Sequence, residues 1–126
     1  MDERDKKKIL VVDDEEEVLI YLSNILKRSD YNVLTASNGK DAVDLAKKGT
    51  PDLIILDILL PDMDGGDVAA SLERNPSTAN IPIIFLTGII TKKEEIDGLK
   101  SGRHLVLAKP ASTDELFKTI RLALSS

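Results

Sequence analysis

The sequence predicts an α/β fold, a doubly wound parallel sheet of five strands with helices on both faces. Two observations carry this reading. Five short, mostly apolar runs rich in β-branched residues recur along the chain, as strands buried on both faces require. Each is followed by a longer stretch whose apolar residues repeat at helical spacing, which is the pattern of parallel crossover units. With 126 residues, 42% of them hydrophobic, the chain suits one domain with one core.

The elements follow in order. Residues 1–7 are almost all charged and read as a solvated arm ahead of a domain spanning residues 8–124. Ile9, Leu10, Val11 and Val12 form the first strand, and Val18, Leu19, Leu22, Ile25 and Leu26 trace the buried stripe of the first helix. Residues 31–36 form the second strand. Ser37-Asn-Gly39 opens the second helix through Ala42, Val43 and Ala46, with Gly49 as its stop. Residues 53–56 are the third strand, continuous and apolar. The helix bearing Val68, Ala69 and Leu72 follows a turn at residues 61–66 and ends before Pro76. Pro82 suits the start of the fourth strand at residues 83–86. Residues 92–101 predict a weak helix, diluted by Gly98, and residues 105–107 are the fifth strand. Ser112-Thr-Asp-Glu115 has the form of a capping box ahead of a helix whose buried face is Leu116, Phe117, Ile120, Ala123 and Leu124. Right-handed crossovers wind these units into an open sheet. The strand order 2-1-3-4-5 is that of the flavodoxin-like arrangement and is adopted from it.

Composition narrows the chemistry. Aromatic residues are 3% with no Trp, which argues against stacking platforms for flavin or single-stranded nucleic acid. A net charge of −5 disfavours binding through counterion release from nucleic acid. There is no Cys, and one His, His104, so disulfides, thiolate sites and histidine clusters are excluded. The first residues lack the apolar stretch of a secretory signal, and no run approaches the roughly 18 apolar residues of a membrane span. The expectation is a soluble, cytoplasmic chain, with no effector domain after Leu124.

In an open α/β sheet the site lies beyond the carboxyl ends of the strands. Those ends carry Asp13 and Asp14, Asp57, Thr87 and Gly88, and Lys109. Singly, each has an ordinary explanation: an Asp after a strand is most often a helix N-cap, a Thr a β-former, a Lys a solvated charge. Asp62 and Asp64 are most simply turn and cap residues. Gathered at one rim they mean more. Two like charges about 4 Å apart repel by about 1 kcal/mol in water and about 4 kcal/mol at an effective dielectric near 20. Three carboxylates at one rim therefore call for a cation. An all-oxygen site suits Mg²⁺, with Mn²⁺ as a substitute; Ca²⁺ is the alternative, though the loop lacks the EF-hand ligand series. An Asp beside such an ion can attack phosphorus, and Lys109 and Thr87 can neutralise or hydrogen-bond the phosphoryl oxygens.

Five motifs in order, Ile9-Leu-Val-Val-Asp-Asp14, Pro51-Asp-Leu-Ile-Ile-Leu-Asp57, Pro61-Asp-Met-Asp-Gly65, Leu86-Thr-Gly88 and Ala108-Lys-Pro110, resemble those of response-regulator receiver domains of two-component signal transduction. The resemblance covers about residues 8–124. It implies Asp57 as phosphoacceptor, taking the group from a sensor histidine kinase or a histidine phosphotransfer protein. It implies Asp14, Asp13 through water, Asp57 and the Leu59 carbonyl around Mg²⁺. Thr87 and the Gly88 amide would bind the phosphoryl group, Lys109 would pair with it, and the peptide before Pro110 would be cis. The implied protein is a phosphorylation-dependent switch and not a turnover enzyme. It would act as a monomer or a phosphorylation-dependent dimer, without contacting nucleic acid or membrane itself. The moving parts would be residues 87–91 and the helix at 92–101, and the last helix and fifth strand would face the partner.

Some positions depart from the family pattern. Val106 stands where receivers usually carry Tyr or Phe, which removes the aromatic partner of the Thr87 rotation. Ala111 stands where Phe is common. Leu59 and Ile89 are apolar where polar side chains often assist water, which predicts slow hydrolysis. Two rival enzymatic or ligand-binding readings fit less well. A flavin or nucleotide module would need a Gly-rich or Ser/Thr-rich loop after the first strand, where Asp13 and Asp14 instead repel phosphate. A phosphatase would need a second Asp two residues after Asp57, where Leu59 lies. A pseudo-receiver used only for protein binding would not need the full acidic set with Thr87 and Lys109.

Overall fold

The computed structural model describes residues 6–88, 104–109 and 111–125. Its elements are β1 (Lys8–Val12), α1 (Glu16–Arg28), β2 (Asn32–Ala36), α2 (Gly39–Gly49), β3 (Leu53–Asp57), α3 (Gly65–Glu73), β4 (Ile83–Thr87), β5 (Leu105–Ala108) and α4 (Thr113–Leu124). The helix expected at 92–101, Ile89, the peptide before Pro110 and most of the N-terminal arm lie outside the described residues.

All strand pairs are parallel, as the doubly wound pattern predicts, and the order is β2-β1-β3-β4-β5, that of the flavodoxin-like arrangement. The period-2 alternation of the strands divides the core in two. Ile9, Val11, Leu53, Ile55, Ile84 and Leu86 face one way, against Leu22 and Leu26 of α1 and Leu116 and Ile120 of α4. Leu10, Val12, Ile54, Leu56, Ile83 and Phe85 face the other way, against Ala42 and Ala46 of α2 and Val68 and Leu72 of α3. Every residue of β3 is buried, because this central strand has a strand on each edge and helices on each face. Fixing β3 also fixes the position of its last residue, Asp57.

β1, β3, β4 and β5 each run one residue longer than the sequence reading, and other details at element ends differ for local reasons. β2 begins at Asn32, because the Tyr31 N–H turns back to donate to the Leu26 carbonyl and closes α1. The left-handed residue after α2 is Thr50, at φ 39°, not Gly49. Gly49 is set by packing instead: a Cβ there would lie 2.8 Å from Leu34 Cδ1. Finally, α1 has Glu15 as N-cap with no side-chain cap, so neither Asp13 nor Asp14 serves that role.

The helix N-termini near the rim are satisfied by side-chain oxygens. Asn38, Asp64 and Ser112 cap α2, α3 and α4 by accepting from Asp41, Asp67 and Glu115 N–H. Asp62 does something the local sequence does not announce. It reaches from the loop after β3 to the start of α2, where Oδ1 accepts from Gly39 N–H at 2.8 Å and Oδ2 from Lys40 N–H at 2.9 Å.

Those two amides hold the Asp62 carboxyl below its usual range. A depressed folded-state pKa gives stability that is present above the unfolded value and lost as pH falls through the folded one. Asp62→Ala should therefore unfold at lower urea than the wild type near neutral pH, with the gap closing in acid. A gap that stayed constant with pH would show that the carboxylate charge is not what ties the loop to α2.

Candidate functional site

The site forms where β1, β3 and β5 end. Asp13 follows β1 and stays in the sheet, its N–H donating to the Ala36 carbonyl at 3.1 Å. Its side chain is 1% exposed and fully engaged. Oδ1 accepts from Glu15 N–H at 2.9 Å, and Oδ2 accepts from the Lys109 ammonium at 2.6 Å. Asp14, the next residue, is exposed.

Asp57 is the last residue of β3 and is 7% exposed. Its contacts are long: Oδ1 accepts from Leu59 N–H at 3.4 Å and Oδ2 from Lys109 Nζ at 3.5 Å. At such distances a hydrogen bond is weak. Burial, and then the charge of Asp13, push the Asp57 carboxyl up, against the opposing pull of Lys109 and the Leu59 amide. For Lys109 burial acts to lower the pKa, but its hydrogen bond to Asp13 and the charges of Asp57 and Asp13 outweigh it and raise the ammonium above its ordinary range.

Asp13, Asp14 and Asp57 each offer a carboxylate oxygen, all within 4.8 Å of one another. Among the described residues, one lysine beside three carboxylates leaves the cluster short of positive charge. The donors are all oxygen and the mutual repulsion is only partly relieved, which fits a hard divalent cation. The structure thus gathers four of the residues singled out from the sequence: Asp13, Asp14, Asp57 and Lys109. Thr87 closes β4 opposite Ala108 of β5; its hydroxyl lies outside what the structure describes. Gly88 is exposed beside the Lys109 stem, a Cβ there coming 3.8 Å from Lys109 Cδ. Leu59 pairs with Asp64 in an isolated antiparallel bridge and leaves its side chain 56% exposed at the mouth of the site. Val106 pairs with Phe85 across the sheet and packs, half-buried, on the α2–α3 side of the core.

Gly65 closes one of the five motifs, but the sequence reading gave it no role of its own. Its N–H donates to the Ile58 carbonyl at 2.7 Å. A Cβ there would sit 2.9 Å from Ile58 Cα and 3.0 Å from the Asp57 carbonyl oxygen. The loop can fold back under Asp57 only because this position lacks a side chain. A glycine immediately after the capping residue Asp64 was the available signal.

An acidic triad and a lysine at the carboxyl rim of a doubly wound sheet define a signalling receiver. The chain belongs to the response regulator receiver domain family, whose sequence profile matches residues 9–121. It is 39% identical to the alkaline phosphatase synthesis transcriptional regulatory protein PhoP of Bacillus subtilis, over 94% of this chain and 48% of that protein. It is 38% identical to the response regulator PleD of Caulobacter vibrioides, over 90% of this chain and 25% of PleD. It is 34% identical to histidine kinase P4 of Formosa agariphila, over 98% of this chain and 9% of the kinase. The chain therefore spans half or less of the length of these relatives. Among solved structures it resembles the Vibrio cholerae chemotaxis protein CheY4, with TM-score 0.86, 29% identity and coverage of 94% and 99% of the two chains. It also resembles the signal receiver domain of a histidine kinase from Syntrophus aciditrophicus, with TM-score 0.84, 31% identity and coverage of 94% and 90%. Among the described residues, no helix is long and apolar enough to cross a membrane.

The direction of the Asp57 shift has a consequence for stability. An acid whose folded pKa is raised has its stability fully present below the unfolded pKa and loses it as pH rises through the folded one. In a chelator, Asp57→Asn should be more stable than the wild type at neutral pH, and urea titrations at falling pH should show the two converge. A variant less stable at every pH would mean that the Lys109 contact outweighs the crowding.

Proposed function

We propose that Asp57 accepts a phosphoryl group from a phosphohistidine of a sensor kinase or histidine phosphotransfer protein, in the cytoplasm, and that the modified domain regulates a partner or effector. The observation that carries this reading is the contrast between the two buried acids. Asp13 has both oxygens engaged by short hydrogen bonds, whereas Asp57 is held only by contacts of 3.4 and 3.5 Å. An Asp57 oxygen therefore keeps a lone pair available for attack.

In the transfer, an Asp57 oxygen forms the new P–O bond as the P–N bond to the donor imidazole breaks. The bonding pair stays on the ring nitrogen, which takes up a proton from solvent, and the donor leaves as neutral histidine. Asp13, Asp14, Asp57 and the Leu59 carbonyl would hold Mg²⁺, or Mn²⁺, which when bound supplies charge neutralisation to the phosphoryl oxygens. Lys109, already 3.5 Å from Asp57, would move its ammonium from carboxylate to phosphoryl oxygen. The Gly88 amide and Thr87 hydroxyl would take the remaining oxygens.

Phosphorylation adds about −1.5 to −2 charges at neutral pH. Reversing a two-state population from about 1:99 to 99:1 takes about 5.5 kcal/mol of differential stabilisation. Recruiting Lys109 to the phosphoryl group contributes to that difference only by the amount the new ion pair exceeds the 2.6 Å pair to Asp13 that it replaces.

Incubation with acetyl phosphate and Mg²⁺, followed by intact mass, should give one added phosphoryl group. The adduct should vanish in Asp57→Asn and in the presence of chelator; an adduct that persists in the variant would place the acceptor elsewhere. Hydrolysis supplies a second test. Leu59 presents an apolar, 56% exposed side chain beside the acceptor. Replacing it by Asn, which can hydrogen-bond an attacking water, should shorten the phosphoryl lifetime by several-fold, against about 10²–10⁴ for a full general base. An equal or longer lifetime in Leu59→Asn would remove the role given to Leu59.

A further inference from the structure

A pocket of about 290 Å³ lies between α1 and α4, on the sheet face opposite α2 and α3, and borders the site without being part of it. Its inner wall is apolar: Leu22, Leu86 and Leu116 are buried and line it, and Val18 is partly buried beside them. Ala111 also lines it and contributes a single methyl group, so this part of the wall is shallow and the space stays open. Tyr21, 52% exposed, lines its outer part.

Among the described residues, the charge around the pocket is one-sided. Residues 13–17 are five consecutive acids, and two of them, the exposed Glu15 and Glu17, line it. Lys109 is the cation among the lining residues, and its ammonium is committed to Asp13 at 2.6 Å and Asp57 at 3.5 Å. An apolar interior with two unbalanced carboxylates at its edge selects a molecule with an apolar ring and a positive tail.

We propose that this pocket binds small arylalkylamines, with the ring against Leu22, Leu86 and Leu116 and the ammonium against Glu15 and Glu17. Because the pocket shares Lys109 with the acidic cluster, such a ligand would sit where it can sense the state of the site. Binding itself does not depend on phosphoryl transfer to Asp57, so the two proposals stand or fall separately.

The test is an NMR titration of the isotopically labelled full chain with phenethylamine, with phenylacetate, which carries a negative charge in place of the positive one, and methylammonium, which lacks the ring, as comparison probes. Saturable amide shifts are expected at Val18, Leu22, Leu86 and Leu116. Phenylacetate should bind at least about tenfold more weakly, the value of one charge-assisted contact, and methylammonium should not saturate. Ala111→Phe, which fills the space, should abolish binding. The Glu15→Gln, Glu17→Gln double variant, which changes only exposed side chains, should weaken phenethylamine towards the phenylacetate value, and it decides the matter if the Phe variant does not fold. Absence of saturable shifts, equal affinity for phenethylamine and phenylacetate, or unchanged affinity in the double variant would each overturn the proposal.

Discussion

The ion pair between Lys109 and Asp13 holds the functional end of this sheet together. Neighbouring strands lie about 4.8 Å apart, and β5 is separated from β3 by β4 and from β1 by both. A residue at the end of β5 can reach the acids of β1 and β3 only with a long side chain laid across the end of β4. Lys109 does this by running past Gly88, where a Cβ would lie 3.8 Å from its Cδ and 3.9 Å from its Cβ. The carboxylates cannot relax apart, because Asp13 is tied into the sheet through Ala36 and Asp57 ends a strand buried on every side. Their repulsion is built in by the backbone, and one ammonium offsets only part of it.

That constraint makes two buried acids of the same type chemically different. The Asp13 side chain is oriented by the Glu15 amide and by Lys109, so it acts as a fixed negative wall. Asp57 feels that wall, along with its own burial, as an upward push on its carboxyl. Its partners are distant, and the loop behind it is pressed close only through Gly65. In the proposed reaction this asymmetry selects the acceptor: the acid with the weaker hydrogen bonds is the one with an oxygen to give.

Much of this was legible in the sequence, and the remainder was hidden for a physical reason. Burial of residues 53–57 follows from composition, since a run of four apolar residues followed by one Asp has few other places to go. The convergence of Asp13, Asp57 and Lys109 follows from the rule that open α/β sheets carry their sites at the carboxyl ends, once five strands are recognised. The capping box at Ser112 was local and readable, and the Glu115 N–H does donate to the Ser112 hydroxyl. The contacts that escaped join residues distant in sequence. Asp62 looked like a turn residue, yet it binds the start of α2, 22 and 23 positions earlier. Gly49 does end α2, but the left-handed residue is Thr50, and the close approach of Gly49 to Leu34 was not readable. The strand order itself came from resemblance, since apolar runs do not state which neighbours they will take.

His104 shows the same limit and explains how the two ends of the sheet differ. Composition could only say that a single His builds no metal cluster. In the fold it is buried at the start of β5, its Nδ1 accepting from the Ile83 N–H at 3.2 Å, which leaves the ring proton on Nε2, 2.9 Å from Glu73 Oε1. Its ring meets Phe85 edge-on at 5.9 Å. At this amino-terminal end Lys8 is matched as closely, its N–H donating to Asp52 at 2.8 Å and its ammonium to the Gly49 carbonyl at 2.9 Å. Among the described residues, these polar groups have near neighbours of the right kind. At the carboxyl end one lysine contacts two of the three clustered carboxylates, and of the two buried ones Asp57 is held by the longer contacts. A rigid sheet can hold polar groups well matched at one end and carboxylates crowded at the other, and that crowding is what a bound cation can relieve.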